Sequence, residues 1–369
     1  MASSPSTTAS SQDSEFGARS RDDLTIEVID NIPDLRAFRE THASAPIFDG
    51  DGGQNLRWLE AVCLGLRHDP YLLIAKQADS PVGTLPLSFV KSTLFGRFLV
   101  SLPYVNTAGI HAVGDQVASR LVDRAAELAD DLNVRYLELR HESEFSHPIL
   151  GSTLKSKVHM RFPLPKTKDE LWTGFKSKVR NKVKKGDRQG FTIEWGSEEL
   201  LSGFYEVFSR TMRDLGTPVF SPDLFRSILS VFDGDAELCV VSAEDRPIAT
   251  ALLVHGKSWT LVPSAASLHE LNSTNVNDWM YWKLLERSVE RGQEGFDFGR
   301  CTPEGNTFTF KKKWGAEPEP AIWQYYVRKG SVTDVRPEGG KYDRAVNLWK
   351  KLPLPLTRLI GPSIVRGIP

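Results

Sequence analysis

A chain of 369 residues with 46 basic and 47 acidic side chains carries a formal net charge of -1, which excludes wholesale attraction to nucleic acid and leaves any anionic partner to a local patch. The length suits two domains of ordinary size, and the apolar share is enough for two cores. Cys63, Cys239 and Cys301 make no paired spacing, so neither a disulfide framework nor a zinc ribbon is supported, and a reduced, cytoplasmic setting follows.

In chain order, residues 1–22 are rich in Ser, Thr and Ala, lack the apolar core of a signal peptide, and read as a disordered arm. A first domain is expected over residues 23–160. Within it Tyr71–Lys76 and Val82–Leu87 read as strands joined through Asp79-Ser80-Pro81. Leu121 to Leu132 then shows helical period in Leu121, Val122, Ala125, Ala126 and Ala129, and feeds a short strand, Tyr136–Arg140. His141, Glu142, Glu144 and His147 come next. They are metal-ligand types, but their spacing fits no helical ligand pair, so no metal is expected.

A second domain is expected over residues 161–330, opening on a basic helix at 171–188. Lys176, Lys178, Arg180, Lys182, Lys184, Lys185 and Arg188 stand there against one acid, Asp187. Leu171, Phe175, Val179 and Val183 recur every fourth residue, which predicts a single helix with one apolar stripe, stopped at Gly186 or Gly190. The stretch is either a solvated face or a phosphate-binding helix suited to a nucleotide-sugar pyrophosphate or an RNA backbone, with Arg180 able to grip phosphate bidentately. Phe204 to Leu215 reads as a helix ended by Gly216-Thr217-Pro218, and Ser221-Pro222 caps and opens the next.

From there the order of the first domain repeats. Leu238–Ala243 and Ile248–Leu253 flank Asp245-Arg246-Pro247, Trp279 to Val289 has helical period, and Phe296–Arg300 is again a short strand ending in arginine. The fold class that follows is α/β, two tandem domains from an internal duplication, each a mixed sheet flanked by helices. Cys301 has no sequence-adjacent base and reads as a small buried residue. Residues 331–369 form a Pro-punctuated apolar tail too short and broken to cross a membrane. It is expected to pack as an extended strap, contact with a membrane or partner being the other reading. No Ser-His-Asp elbow, HExxH, P-loop or GxGxxG after a strand occurs.

Four segments carry a further signal: Val179 through Gly190, Met212 to Pro218, Phe296–Arg300, and Phe310-Lys311-Lys312-Lys313-Trp314-Gly315-Ala316. In these the chain resembles the FemAB family, proteins built from two GNAT-type acyltransferase folds, over about Trp58 to Tyr326. Met212 to Pro218, and Phe296–Arg300 with Phe310–Ala316, look most like the subgroup associated with exosortase (PEP-CTERM) and exopolysaccharide systems. The resemblance implies an N-acyltransferase that moves an acyl or aminoacyl group to an amine of a peptidoglycan or exopolysaccharide precursor, with no tightly bound cofactor. Carried over, Arg180 with Lys178 would meet the precursor's phosphates, Phe310 and Lys311 would line the catalytic channel, and Tyr281, Arg300 and Trp314 would contact substrate.

Asp297 points away from Phe296 and Phe298 on its strand. It either takes the proton from an incoming ammonium or pairs with a cation such as Arg300. Lys311, Asp297 and Arg180 are expected to converge on one cleft. The long helical hairpin that FemA-type members insert between the copies is missing, and the acetyl-CoA loop of ordinary GNAT enzymes is not clear, so the donor stays open between aminoacyl-tRNA and acyl-CoA or an acyl carrier. The other function readings are an acetyl-CoA or acyl-carrier-dependent N-acyltransferase and a non-catalytic binding module for a phosphorylated glycan or RNA. DNA is not expected as a partner, and a monomer or weak dimer is.

Overall fold

The computed structural model describes residues 24–43, 50–332 and 343–369, so the arm at 1–22 lies outside the described residues. Strand β1 (Leu24–Ile29) leads to α1 (Ile32–Thr41), whose Asn31 cap accepts a hydrogen bond from the Asp34 amide. Helix α2 (Arg57–Leu66) precedes β2 (Asp69–Gln77), β3 (Ser80–Ser92), β4 (Gly96–Val100) and the short β5 (His111–Ala112). Helix α3 (Asp115–Asp131) then crosses to β6 (Tyr136–His141), and β7 (Ser152–Pro163) follows.

The second half begins with α4 (Lys168–Gly174) and α5 (Ser177–Asp187), then β8 (Thr192–Gly196), α6 (Leu201–Leu215) and α7 (Pro222–Val231). Strands β9 (Ala236–Ala243), β10 (Arg246–His255) and β11 (Trp259–Ser267) precede α8 (Val276–Glu290) and β12 (Gly295–Cys301). Helix α9 (Asn306–Lys313), β13 (Glu317–Val327), α10 (Asp343–Trp349) and α11 (Leu354–Val365) complete the described chain.

The duplication is visible in the geometry. In both copies the hairpin turn is a pair of left-handed residues, Ala78-Asp79 and Glu244-Asp245, a turn whose twist matches that of the strands it joins. In both, the strand after the crossover helix pairs parallel with the last long strand before it, β4 with β6 and β11 with β12. One continuous sheet runs β1-β2-β3-β4-β6-β13-β7-β12-β11-β10-β9-β8. Its two ends mirror each other, and at its middle the last strands have changed places. Strand β13 pairs with β6 of the first half, while β7 pairs with β12 of the second. Residues 160 and 161, where the sequence suggests a domain boundary, lie inside β7.

Apolar faces follow this plan. Helix α3 lays Leu121, Val122, Ala125 and Ala129 on Leu85, Leu137 and Leu139, whereas α2, α6, α7 and α8 share a larger core. The two strand-ending arginines converge on one indole, Arg140 at 4.0 Å and Arg300 at 3.5 Å from the centre of Trp323. Arg140 is buried, bonds Glu138, and donates to the carbonyls of Leu102 and Val105, so it pins the loop after β4 against the end of β6.

Two expectations are corrected. The basic stretch is two helices, because Phe175 and Lys176 adopt extended backbone between α4 and α5, yet Leu171, Phe175, Val179 and Val183 are all buried as one stripe. The described part of the tail, residues 343–369, is helical rather than extended: Pro355 sits in the first turn of α11, where its missing amide costs nothing, and Pro362 is accommodated inside it. Among the described residues no helix is long and apolar enough to cross a membrane.

Beneath the second half lies a buried network. Glu237 accepts from His255 Nε2 at 2.9 Å and from Arg287 Nε and Nη2 at 2.9 and 2.8 Å. Burial pushes its carboxyl up, but the His255 and Arg287 bonds outweigh that and hold it at about 2. A depressed carboxylate contributes stability above its unfolded value of about 4.3 and loses it as pH falls through the folded one. Glu237→Gln is therefore expected to lower the urea midpoint at pH 7, with the gap to wild type closing between about pH 4 and pH 2. A gap constant with pH would mean that Glu237 acts by packing alone.

Candidate functional site

Where the strand exchange opens the sheet, a cleft of about 660 Å³ is lined by both halves. Residues 50–54, 107–112 and the start of α3 form one side, and Arg161, Trp259, Leu261, Asp297 and Glu319 form the other. Five carboxylates reach it, those of Asp51, Asp115, Glu142, Asp297 and Glu319, against the guanidiniums of Arg140 and Arg161. Arg161 is the hub: it pairs with Glu142, with Glu319 at 2.7 Å and with Asp297 at 3.3 Å. Burial lowers its pKa, but the Glu142 bond and the surrounding carboxylates outweigh this and raise it.

Asp297 lines the cleft, as expected of a residue on the face opposite Phe296 and Phe298. Its cation is Arg161, the neighbour across β7, and not Arg300, which is stacked on Trp323. Its other oxygen accepts from the Gly299 amide at 2.6 Å. Gly299 has a φ of 77° at a bulge in β12, and a side chain there would meet Asn106 at 3.5 Å and the Lys311 ammonium at 3.9 Å.

Lys311 is 5% exposed on α9 and donates to the carbonyls of Gly299 at 2.9 Å and Arg300 at 3.3 Å. Burial lowers its pKa. Lys311 and Asp297 thus grip the same bulge from two sides, although only Asp297 lines the cleft. Arg180 and Lys178 lie on α5, which packs on α8, and neither lines the cleft. Convergence of Lys311, Asp297 and Arg180 on one cleft is therefore not what the fold produces. Arg180 is half-buried with its Nε unpartnered among the described residues, and Lys178 is exposed.

Phe310 and Tyr281 do meet, edge to face at 4.9 Å, and Tyr281 stacks on Phe298 at 5.6 Å, on the core side of β12. Burial pushes the Tyr281 hydroxyl up to about 12. Trp314 is fully buried with its ring on Phe175 at 5.2 Å, so its surroundings are those of a core residue. Cys301 is buried too, and burial pushes its thiol up. In the His141–His147 stretch each side chain has its own partner: Glu142 takes Arg161, Glu144 takes Lys155, and His147 faces Asp123 at 3.4 Å.

His141 is the side chain whose place the sequence did not disclose. It is 6% exposed, lines the cleft, and sits against Gly109, where a Cβ would lie 2.2 Å from its ring. Gln324 fixes its tautomer. The Gln324 amide donates to the Phe145 carbonyl and accepts from the Phe145 amide, both at 2.8 Å, so its orientation is set from the backbone. Its oxygen therefore faces His141 Nδ1 at 2.9 Å and requires the proton there. Nε2 is left with a lone pair and no partner among the described residues, and burial lowers the ring's pKa, keeping it neutral. His159, on β7 opposite Arg300, is buried with both ring nitrogens unpartnered among the described residues, and burial lowers its pKa as well.

The GNAT acetyltransferase domain family matches residues 173–312. Lipid II:glycine glycyltransferase of Staphylococcus epidermidis is 30% identical over 129 residues, and that of Staphylococcus aureus 28% over 116. The first of these matches covers 34% of this chain and 30% of the relative, so the chain spans less than a third of the length of that curated relative. Among solved structures, FemX superposes with a TM-score of 0.58 at 17% identity, covering 82% of this chain and 97% of FemX. A tandem GNAT protein from the clavulanic acid biosynthesis pathway gives 0.53 at 11% identity, covering 82% and 100%. The tandem GNAT fold is thereby established, and the likeness to FemAB proteins read from the sequence holds.

Arg161→Met should cost about 1–3 kcal/mol in urea unfolding, because three carboxylates lose their shared cation in a partly buried cleft. Unchanged stability would show that solvent already screens that cluster.

Proposed function

We propose that the chain is an N-acyltransferase that moves an acyl or aminoacyl group onto an amine of a cell-envelope precursor, with the acceptor nitrogen entering the cleft at the seam of the two halves. The observation that carries this reading is the pairing of a carboxylate-rich cleft with a neutral imidazole at its wall whose buried Nε2 lone pair has no partner among the described residues. Carboxylates favour an ammonium, and an ammonium must lose a proton before it can attack. The relatives' glycyl transfer to lipid II supports an acceptor of the lipid-linked peptidoglycan class, and the donor is an aminoacyl-tRNA, an acyl-CoA or an acyl carrier.

In this scheme His141 Nε2 takes a proton from the acceptor's ammonium, and the freed lone pair attacks the donor carbonyl. As the tetrahedral intermediate collapses, the carbon–oxygen or carbon–sulfur bond to the carrier breaks, the carrier leaves with the nitrogen's second proton, and His141 returns its own to solvent. Asp297 is held by Arg161 and the Gly299 amide, which suits it to orienting the acceptor rather than to proton transfer. Lys311 lies behind the cleft wall and spends two of its three donors on the bulge carbonyls, so it holds in place the strand end that presents Asp297. Arg180 and Lys178 on α5 would bind precursor phosphate beyond the cleft.

The test is transfer from glycyl-tRNA, acetyl-CoA and an acyl-carrier thioester to a lipid II acceptor, followed by product mass. Transfer from one donor is expected, and none from any would end this reading. His141→Gln should lower turnover by roughly 10²–10⁴-fold with KM little changed. Because burial lowers the pKa of His141, the acidic limb of the wild-type rate profile should fall below the usual histidine value of about 6.5 and vanish in the variant. Lys311→Ala should likewise reduce turnover more than it raises KM, and equal turnover would remove the lysine from this positioning role.

A further inference from the structure

Seven large apolar side chains stand exposed among the described residues, and four of them gather in one region. Leu348 (63%) belongs to α10, Leu356 (39%) and Leu359 (74%) to α11, and Leu215 (61%) to the last turn of α6. Both tail helices lie over the same stretch, residues 209–219. Val346 and Lys350 close on Gly216, Gly361 rests on the Val219 backbone, and Arg358 donates to Ser209 Oγ at 2.9 Å. Their outward faces therefore share one side of the molecule.

The patterning of α11 is inverted for a helix whose only neighbour is the protein. Thr357, Gly361 and Val365, at four-residue spacing, face inward and are buried. Leu356 and Leu359, with Ser363, face outward. Burial by the body would have favoured leucine inside and threonine outside. Charge is inverted too, because Asp343–Pro369 contains Arg344, Lys350, Lys351, Arg358 and Arg366 against the single Asp343, in a chain whose net charge is -1. An apolar face rimmed by cations is complementary to an anionic lipid surface. A second copy would instead bring like charges together.

We propose that the outward faces of α10 and α11, with Leu215, seat this protein on an anionic bilayer, the leucines entering the headgroup boundary and Arg344, Lys350 and Lys351 meeting lipid phosphates. The inference does not rest on the acyl-transfer reading. Co-sedimentation of the full chain with vesicles of phosphatidylglycerol and phosphatidylcholine should show binding at least about tenfold tighter than to phosphatidylcholine alone, since each cation near the surface is worth about fivefold. A Leu356→Ser, Leu359→Ser double variant should weaken binding roughly tenfold or more. Lys350→Glu with Lys351→Glu should abolish the lipid preference. All four positions are exposed, so folding should persist, with a thermal melt as the check. Equal binding to both vesicle types, or a leucine variant that binds like wild type, overturns the proposal. So would a dimer in lipid-free solution that the leucine variant dissolves while no vesicle is bound.

Discussion

The backbone ladder at the centre of the sheet, β6-β13-β7-β12, is the constraint on which the rest depends. Each half lends its last strand to the other, so neither can satisfy its own edge amides and carbonyls alone. Two copies of a GNAT unit joined by a linker would be free to rotate; two copies that have exchanged strands are not. The cleft inherits that rigidity. Its walls are the ends of β6 and β12 with the loops beside them, held at a fixed separation by the two exchanged strands between.

The exchange also explains why the duplicated arginines diverge in task while meeting in space. Arg140 is buried against Glu138 and locks the loop after β4. Arg300 comes from the other half and reaches the same Trp323 ring, which β13 carries into the first half. In the second half the corresponding strand end is opened by a bulge at Gly299, where Asp297 and Lys311 engage the backbone. The second copy departs from regular strand geometry at the place where the first is sealed.

Local patterns were legible where period and turn chemistry decide the outcome. The hairpins, crossover helices, Gly216 stop and Ser221 cap all stand where alternation, 3.6-residue period and capping residues put them. The stripe Leu171-Phe175-Val179-Val183 was right although the helix beneath it breaks, because a four-residue spacing records which side is buried and not whether every turn is intact. What could not be read is what depends on pairing between distant strands. That Asp297 would meet Arg161 follows from the register of β12 on β7, and that His141 would present a bare Nε2 follows from Gln324 on β13. The separation of Arg180 from the cleft likewise follows from how α5 docks on α8, a packing choice that its cations do not encode.

The crossed strands impose an order on synthesis. Strand β7 has no partner within its own half, and β6 keeps one open edge, with Tyr136, Leu137 and Leu139 along it, until residues 317–327 have been made. At the usual pace of translation that interval is on the order of ten seconds. During it the nascent first half is an unfinished sheet with an adhesive rim, and its closure waits on contacts far apart in sequence. A chain cut short anywhere before β13 would therefore not be a smaller protein with one working half. It would be two open edges that ribosome-bound chaperones must shield.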